Sequence, residues 1–178
     1  MAAERPSSRG PEADAPAERQ QAESLAPYLP VLSPSSREAF ARANGFRRER
    51  RADRIHMEHL LAGLLMKRDG PAQAVFSECG LTSRDVSVRL RGAGKQAPEP
   101  AGGDGFAFRV APAPIDESTP LSRHVREAVE AALERARAFG DPLEIKSRDL
   151  LLGMGAVQRC SVVRAFGDVF TRAPAIVA

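Results

Sequence analysis

The sequence predicts an all-α protein made of two pseudo-repeats of about four helices each. Three observations support this fold class. Two segments of the chain resemble each other, both carry apolar residues at helical spacing, and a Gly- and Pro-rich stretch separates them. The chain has 178 residues, of which 43% are hydrophobic, and this is enough for one compact domain or two small subdomains.

The internal repeat is the most informative feature of the sequence. The first copy reads SPSSREAFARANGFRRERRADRIHMEHLLAGLL from residue 33, and the second reads SRHVREAVEAALERARAFGDPLEIKSRDLLLGM from residue 122. Glu38 matches Glu127 and Ile55 matches Ile145, with one inserted residue between them. Each copy has a serine at a helix N-cap, an amphipathic helix, a polar turn with an isoleucine and a Leu-rich helix.

Apolar residues at helical spacing predict the core. In the first helix of the second copy they recur every three to four residues and fall on one face, which predicts a core stripe. The stripe consists of Val125, Val129, Ala132, Ala136 and Phe139. The Leu-rich helices that follow in the two copies carry Leu60, Leu61, Leu64 and Leu65, and Leu150, Leu151 and Met154. We expect these two helices to form the centre of the fold.

Composition divides the chain into five segments. Residues 1–24 contain almost no large apolar residue and are predicted to form a disordered tail. Residues 32–91 form the first repeat, residues 120–170 the second, and residues 171–178 a C-terminal tail. Residues 92–119 are dense in Gly and Pro, which predicts a linker. Within this linker the stretch FAFRV alternates enough to be a short strand, but we favour a loop that holds its aromatic side chains at the surface.

The sequence also indicates a cellular location. No apolar run approaches the roughly 18 residues that a membrane helix needs, and the N-terminal residues lack the apolar core of a signal peptide. We therefore expect a cytoplasmic protein that does not enter a membrane. Cys79 and Cys160 both lie in apolar stretches and are expected to be reduced and buried.

The first copy resembles the Clp N-terminal (Clp repeat) domain, the double four-helix module at the front of Clp-type protein-unfolding ATPases. The family pattern I-x-x-E-H-L-L-x-x-L-L stands here without a gap from Ile55 to Leu65. The second copy departs from it, because Arg148 and Asp149 replace the Glu-His pair. The resemblance covers roughly residues 32–167 and implies a stand-alone module without the ATPase domains.

The two histidines of the segment RIHMEHLLAGLL raise the question of a metal or catalytic site. A metal site would need more ligands than His56 and His59, and His124 is the only other histidine in the sequence. The segment also lacks the H-E-x-x-H order of a metallohydrolase. The resemblance implies a structural histidine and no metal centre. We therefore predict a packed or capping histidine, with no metal ion and no cofactor.

A second apparent motif, Gly92 to Lys95, is similar to a phosphate-binding loop. The pattern G-x-x-x-x-G-K-[ST] requires a glycine where Arg89 stands and a serine or threonine where Gln96 stands. The segment is therefore not a P-loop. We propose no catalytic residue and expect the chain to bind other molecules rather than to act as an enzyme.

Glu58 has two interpretations. In the first turn of a helix, a carboxylate is stabilised by the exposed N–H groups and the helix dipole, which would be a structural role. The resemblance implies a second role, because in some family members the glutamate of this motif binds phosphoarginine on proteins marked for degradation. In the second copy Arg148 occupies this position, and an arginine would not bind a guanidinium by the same contact. Glu58 is therefore the candidate residue for a phosphoarginine ligand.

Arg47, Arg48 and Arg51, followed by Arg54, form a basic cluster that could contact phosphates. Aromatic residues make up only 5% of the chain and there is no Trp, so the stacking of nucleic-acid bases has little support. We therefore favour a solvated helix end, or a docking face for an acidic protein partner, over a nucleic-acid site.

The resemblance implies a non-catalytic protein-binding or adaptor module that recognises substrates or regulators in a Clp-like chaperone or proteolysis setting. The expected partner is a Clp-type ATPase, a substrate or an adaptor. One alternative is a regulatory Clp-N-like module recruited to another system. The other is nucleic-acid binding through the cluster Arg47–Arg54, which would be lost steeply as salt is raised.

Overall fold

The structure, a computed structural model, describes residues 23–93, 106, 108–139 and 142–177. Within these ranges the chain forms eight α-helices and no extended strand. A short 3-10 turn at Leu29–Val31 precedes them. The helices are α1 (Pro34–Glu49), α2 (Met57–Leu65), α3 (Pro71–Glu78), α4 (Ser83–Ala93), α5 (Arg123–Phe139), α6 (Ser147–Ala156), α7 (Ser161–Ala165) and α8 (Gly167–Ile176).

The predicted all-α fold with two repeats of about four helices is confirmed. Helices α1 to α4 form the first repeat and α5 to α8 the second, in the same order. The Leu-rich helices α2 and α6 lie at the centre, and their matched residues Leu61 and Leu151 are fully buried. Helix α6 packs against helices of both repeats, so one continuous core joins the two halves.

Both repeats begin with the predicted serine caps. The Ser33 hydroxyl oxygen accepts a hydrogen bond from the backbone N–H of Ser36 at 3.1 Å. The Ser122 hydroxyl oxygen accepts one from the backbone N–H of Val125 at 3.5 Å. Each bond satisfies an N–H group that has no partner within the first turn of its helix, which fixes where α1 and α5 start.

The long helix and the Leu-rich helix of each repeat approach closely at a glycine. A β-carbon at Gly63 would lie 2.3 Å from the Ala39 carbonyl oxygen, and one at Gly153 would lie 2.2 Å from the Ala128 carbonyl oxygen. Any side chain at these positions would overlap the backbone of the neighbouring helix. The same packing geometry is therefore built into both repeats by a glycine at the same place.

The two repeats exchange backbone hydrogen bonds at two equivalent places. The Ser33 N–H donates to the Ile145 carbonyl at 3.0 Å, and the Ser122 N–H donates to the Ile55 carbonyl at 2.9 Å. Each isoleucine N–H donates back to the same segment of the other repeat, at 2.7 Å and 2.9 Å respectively. Both isoleucines are fully buried. The polar turn of each repeat is thus bonded to the start of the other.

The expected surface position of the FAFRV aromatics is wrong. Phe106 and Phe108 are only 5% and 4% exposed. Phe108 packs edge-on against Phe46 of α1 with ring centroids 6.1 Å apart, and Phe106 packs against Phe76 of α3 at 6.0 Å. Aromatic side chains bury large apolar areas, so their packing offsets the cost of ordering this part of a Gly- and Pro-rich segment.

The end of the predicted linker lies along α1. The Ala113 N–H donates to the Ala41 carbonyl at 2.9 Å, and the Asn44 side-chain amide donates to the Pro114 carbonyl at 2.6 Å. Gly45 permits this approach, because a β-carbon there would lie 2.1 Å from the Ala111 carbonyl oxygen. These residues connect the repeats as part of the packed structure.

The segment boundaries also differ from those expected. Residues 1–22 of the predicted tail lie outside the described residues, but Ser24 at its end is only 5% exposed, and the Glu23 carbonyl accepts a hydrogen bond from the Leu121 N–H at 2.9 Å. Helix α4 continues to Ala93, one residue beyond the predicted start of the linker. The predicted tail 171–178 is helical up to Ile176, because α8 packs its later residues against the core.

The predicted core stripe of α5 is correct for four of its five members. Val125, Val129, Ala132 and Ala136 are buried. Phe139 is 79% exposed, so its assignment to the core was wrong. It is the last residue of α5, where the stripe extends beyond the packed part of the helix.

The cysteines are both free, as predicted, but they differ in burial. Cys160 is buried, and its burial, together with the negative charge of Glu58, raises the pKa of its thiol. Cys79 is only partly buried, so the expectation of full burial fails there. A buried thiol with a raised pKa is poorly reactive, which agrees with a packing role for Cys160.

The glycine contacts predict opposite effects for one substitution at two sites. Gly153→Ala should lower the free energy of unfolding by about 1–3 kcal/mol, because the new methyl group overlaps the backbone of α5. Gly92→Ala should be neutral or should raise it by up to about 1 kcal/mol, because nothing lies within 4 Å of a β-carbon in that part of α4. Urea unfolding of the two variants measures the difference. Equal stability would contradict the close approach of α5 and α6.

Tyr28 offers a spectroscopic test of how the repeats dock. Its hydroxyl donates to Glu130 of α5 at 3.1 Å, and burial, then the Glu130 charge, raise its pKa from 10.0 to about 12. The native state therefore holds this proton more tightly than the unfolded state, and the stability it contributes below pH 10 is lost as the pH rises towards 12. Tyr28 is the only tyrosine and there is no Trp, so tyrosinate absorbance reports it alone.

In that titration the native protein should show a midpoint well above that of the urea-unfolded chain. Glu130→Gln should lower the native midpoint only in part, because burial, the largest single cause of the shift, remains. Coincident midpoints for native and unfolded protein would mean that Tyr28 is exposed and not docked against α5.

Candidate binding site

The third residue of each Leu-rich helix caps that helix. His59 is fully buried, and its Nδ1 accepts a hydrogen bond from the His56 backbone N–H at 3.2 Å. In the second repeat an Asp149 oxygen accepts one from the Lys146 backbone N–H at 2.9 Å. The two side chains thus satisfy the same kind of N–H group at the start of α2 and α6. The histidine of the motif has a structural role.

Of the other two histidines, His56 packs against the capping histidine and His124 lies elsewhere. The His56 ring meets the His59 ring edge-on, with centroids 5.7 Å apart, and its Nε2 lies 3.5 Å from Asp53. His124 lies in α5 of the other repeat. Within the part of the chain that the structure describes, no three His, Cys, Asp or Glu side chains are placed to hold a metal ion together.

Glu58 precedes the capping histidine in the first turn of α2. It is 9% exposed, and it lies close enough to Cys160 of the second repeat to influence the thiol electrostatically. Among the described residues, no basic side chain forms an ion pair with it. Glu58 is therefore a carboxylate with little access to solvent, at the boundary between the repeats, and it is stabilised by the N-terminal end of α2.

Arg148 occupies the equivalent position in α6, with the opposite charge and much greater exposure. Its side chain is 47% exposed, and its Nε lies 3.8 Å from the nearer oxygen of Asp149, which is too long for a hydrogen bond. Three adjoining cavities share Arg148 in their lining. The two repeats therefore present opposite charges, one nearly closed and one open, at the same position of the motif.

Two of the four arginines of the predicted basic cluster, Arg47 and Arg54, are engaged within the molecule. The Arg47 Nε donates to the Asn44 side-chain oxygen at 2.7 Å, and burial together with the Arg48 charge lowers the pKa of Arg47. Arg54 pairs with Glu23 at 3.2 Å and with the neighbouring aspartate at 3.0 Å. Arg48 and Arg51 stay exposed. Arg51 follows the C-cap of α1 with a left-handed backbone (φ 54°). These two arginines are the part of the cluster that faces solvent.

Sequence reasoning missed a groove beside Arg148, which we call the Phe139 groove. It has a volume of about 290 Å³. It is lined by Arg135 and Phe139 of α5, Arg148, Asp149 and Leu152 of α6, Pro174 of α8, and Val177. The sequence contained one signal of it, the replacement of a glutamate by Arg148. It did not reveal that the Phe139 side chain is exposed, or that the end of α8 forms the opposite wall of the groove.

Residues 31–167 match the protein family described as the Clp repeat (R) N-terminal domain. The chain belongs to this family. The matched range spans both repeats and the connection between them, so the family resemblance expected over roughly residues 32–167 is confirmed.

The Clp N-terminal domain fold is also found in a solved structure that resembles this one. The N-terminal domain of the caseinolytic protease-associated chaperone ClpD from Arabidopsis thaliana superposes with a TM-score of 0.56 at 18% sequence identity. The alignment covers 84% of this chain and 93% of the ClpD domain. At this identity the likeness is one of fold. No curated protein matches the chain significantly.

The helices of this Clp N-terminal domain are short or amphipathic. In the ranges that the structure describes, none is both long enough and apolar enough to cross a membrane.

Proposed function

We propose that the chain is a non-catalytic protein-binding or adaptor module that recognises substrates or regulators in a Clp-type chaperone or proteolysis system. Membership of the Clp repeat N-terminal domain family across both repeats carries this proposal. The geometry supports it, because the histidine of the family motif and its counterpart Asp149 act as helix caps. The cytoplasmic location stays a prediction from the sequence.

The proposed partners are a Clp-type ATPase, a protein substrate or an adaptor. Nucleic acid is the weaker candidate, because Arg47 and Arg54 are engaged by neighbouring groups and leave two exposed arginines in the cluster. Each phosphate contact contributes to the salt dependence of binding, so two contacts would give weak and mildly salt-dependent binding. Arg48 and Arg51 are better suited to the rim of a protein interface.

Photo-crosslinking in the native cell, followed by mass spectrometry, tests this proposal. We expect a Clp-type ATPase, or proteins that such an ATPase degrades, among the crosslinked partners, and capture that persists as salt is raised. The double variant Arg48→Ala/Arg51→Ala provides the control for the basic cluster. Retention of nucleic acid that is lost steeply with salt and with this double variant would contradict the proposal in favour of the nucleic-acid alternative.

A finer proposal is a phosphoarginine site at Glu58. In its support, the Glu58 carboxylate has no basic partner among the described residues, so its charge is available to a guanidinium. Its 9% exposure means that a ligand would reach only an edge of the carboxylate. Arg148 removes the equivalent contact from the second repeat, so the proposal assigns one site per chain.

Calorimetric titration with free phosphoarginine tests the finer proposal. Wild type should bind saturably, Glu58→Gln should abolish binding with a loss of stability no larger than about 1 kcal/mol, and Arg148→Ala should bind as wild type does. All three titrations need the same salt concentration, because charge contacts are screened by salt. If wild type shows no heat of binding at millimolar ligand, Glu58 is an ordinary carboxylate at a helix start.

A further inference from the structure

The Phe139 groove exposes a large aromatic side chain that the fold itself does not use. Phe139 is 79% exposed, although exposing an aromatic ring of this size to water is unfavourable. Leu143, which is 38% exposed, lies just beyond it in the connection between α5 and α6 and outside the lining of the groove. Aromatic residues next to a cavity are frequent anchors of protein interfaces. The groove therefore offers apolar area to a partner.

The same groove carries more positive than negative charge, with Arg135 and Arg148 beside a single acidic residue, Asp149. The Arg135 Nε is buried and has no hydrogen-bond partner among the described residues. The Arg148 guanidinium is close to half exposed and lies beyond hydrogen-bonding distance of Asp149. The other oxygen of Asp149 is already engaged by the Lys146 backbone N–H. Two arginines thus line a groove whose one carboxylate also caps α6.

These two features identify the chemistry of the occupant. A carboxylate matches the planar fork of a guanidinium group, and the half-exposed Arg148 can reach one directly. The apolar walls formed by Leu152, Pro174 and Val177 require a hydrophobic side chain next to that carboxylate. A volume of about 290 Å³ is at the small end of ligand sites and suits one anchoring residue rather than a long segment.

We propose that the Phe139 groove binds an acidic peptide segment of another protein, with one large apolar side chain seated against Phe139 and an adjacent carboxylate held by Arg135 and Arg148. This proposal rests on the proposed protein-binding function and adds a second surface to it. The N-terminal residues of this chain do not fit as the occupant, because residues 2–22 contain no large apolar residue beside their acidic ones.

The proposal also gives the two repeats different ligands. At the matched motif position, Glu58 is nearly closed and negative, whereas Arg148 is open and positive. A cationic group suits the first position, and an anionic peptide suits the second. Because the positions belong to separate helices, each can be altered without touching the other.

Fluorescence anisotropy with a labelled acidic peptide that contains one phenylalanine between glutamates tests the proposal. Wild type should bind it, and a peptide with alanine in place of phenylalanine, or with lysines in place of glutamates, should bind at least about tenfold more weakly. Phe139→Ala and Arg148→Glu should each weaken binding to a similar extent. Both side chains are well exposed, so both variants should melt as wild type does. Val88→Ala, another exposed position, is the matched control and should bind normally.

Three results would overturn the proposal. The first is no binding of the acidic peptide by wild type. The second is binding that Phe139→Ala and Arg148→Glu leave unchanged. The third is a concentration-dependent dimer, seen by sedimentation, that Phe139→Ala abolishes, since a second copy of the chain would then occupy the groove. Glu58→Gln should leave peptide binding unchanged. If crosslinking still captures Clp partners while the peptide fails to bind, only the groove proposal falls.

Discussion

The exchange of backbone hydrogen bonds between the two repeats is the constraint on which the rest of the structure depends. Ile55 and Ile145 lie fully inside the core, where unpaired N–H and C=O groups would be costly. Each finds its partners only in the segment that starts the other repeat. Because Ser33 and Ser122 both donate to these isoleucines and cap the first helices, the start of α1 and α5 and the docking of the repeats are fixed together.

Where the structure describes it, the connection between the repeats is also packed. Once the repeats are bonded to each other, α1 and α3 present Phe46 and Phe76 to the chain that passes over them, and Phe106 and Phe108 fill the space. Backbone bonds along α1 then satisfy the polar groups of a segment rich in Gly and Pro. The described residues of the connection therefore add to the core on the side of the first repeat.

At the start of each Leu-rich helix, one position caps the helix in both repeats, and the position before it differs between them. His59 and Asp149 differ chemically, but both accept a hydrogen bond from a backbone N–H, so the helix start is kept. The preceding residue is under no such constraint, and it is Glu58 in one repeat and Arg148 in the other. One fold can thus carry two surfaces of opposite charge, which suits a module that contacts more than one partner or more than one part of a partner.

The sequence by itself determined the repeat, the serine caps and the Leu-rich helices, because periodicity and capping depend on residues that are close together in the sequence. It also supplied the candidate Glu58 and the charge reversal at Arg148. Only the tertiary structure decided which side chains are covered. It buried Phe108 and exposed Phe139, and it engaged Arg47, because burial and pairing depend on residues distant in sequence. The Phe139 groove was beyond sequence reasoning for the same reason, since its walls come from three helices that meet only in the fold.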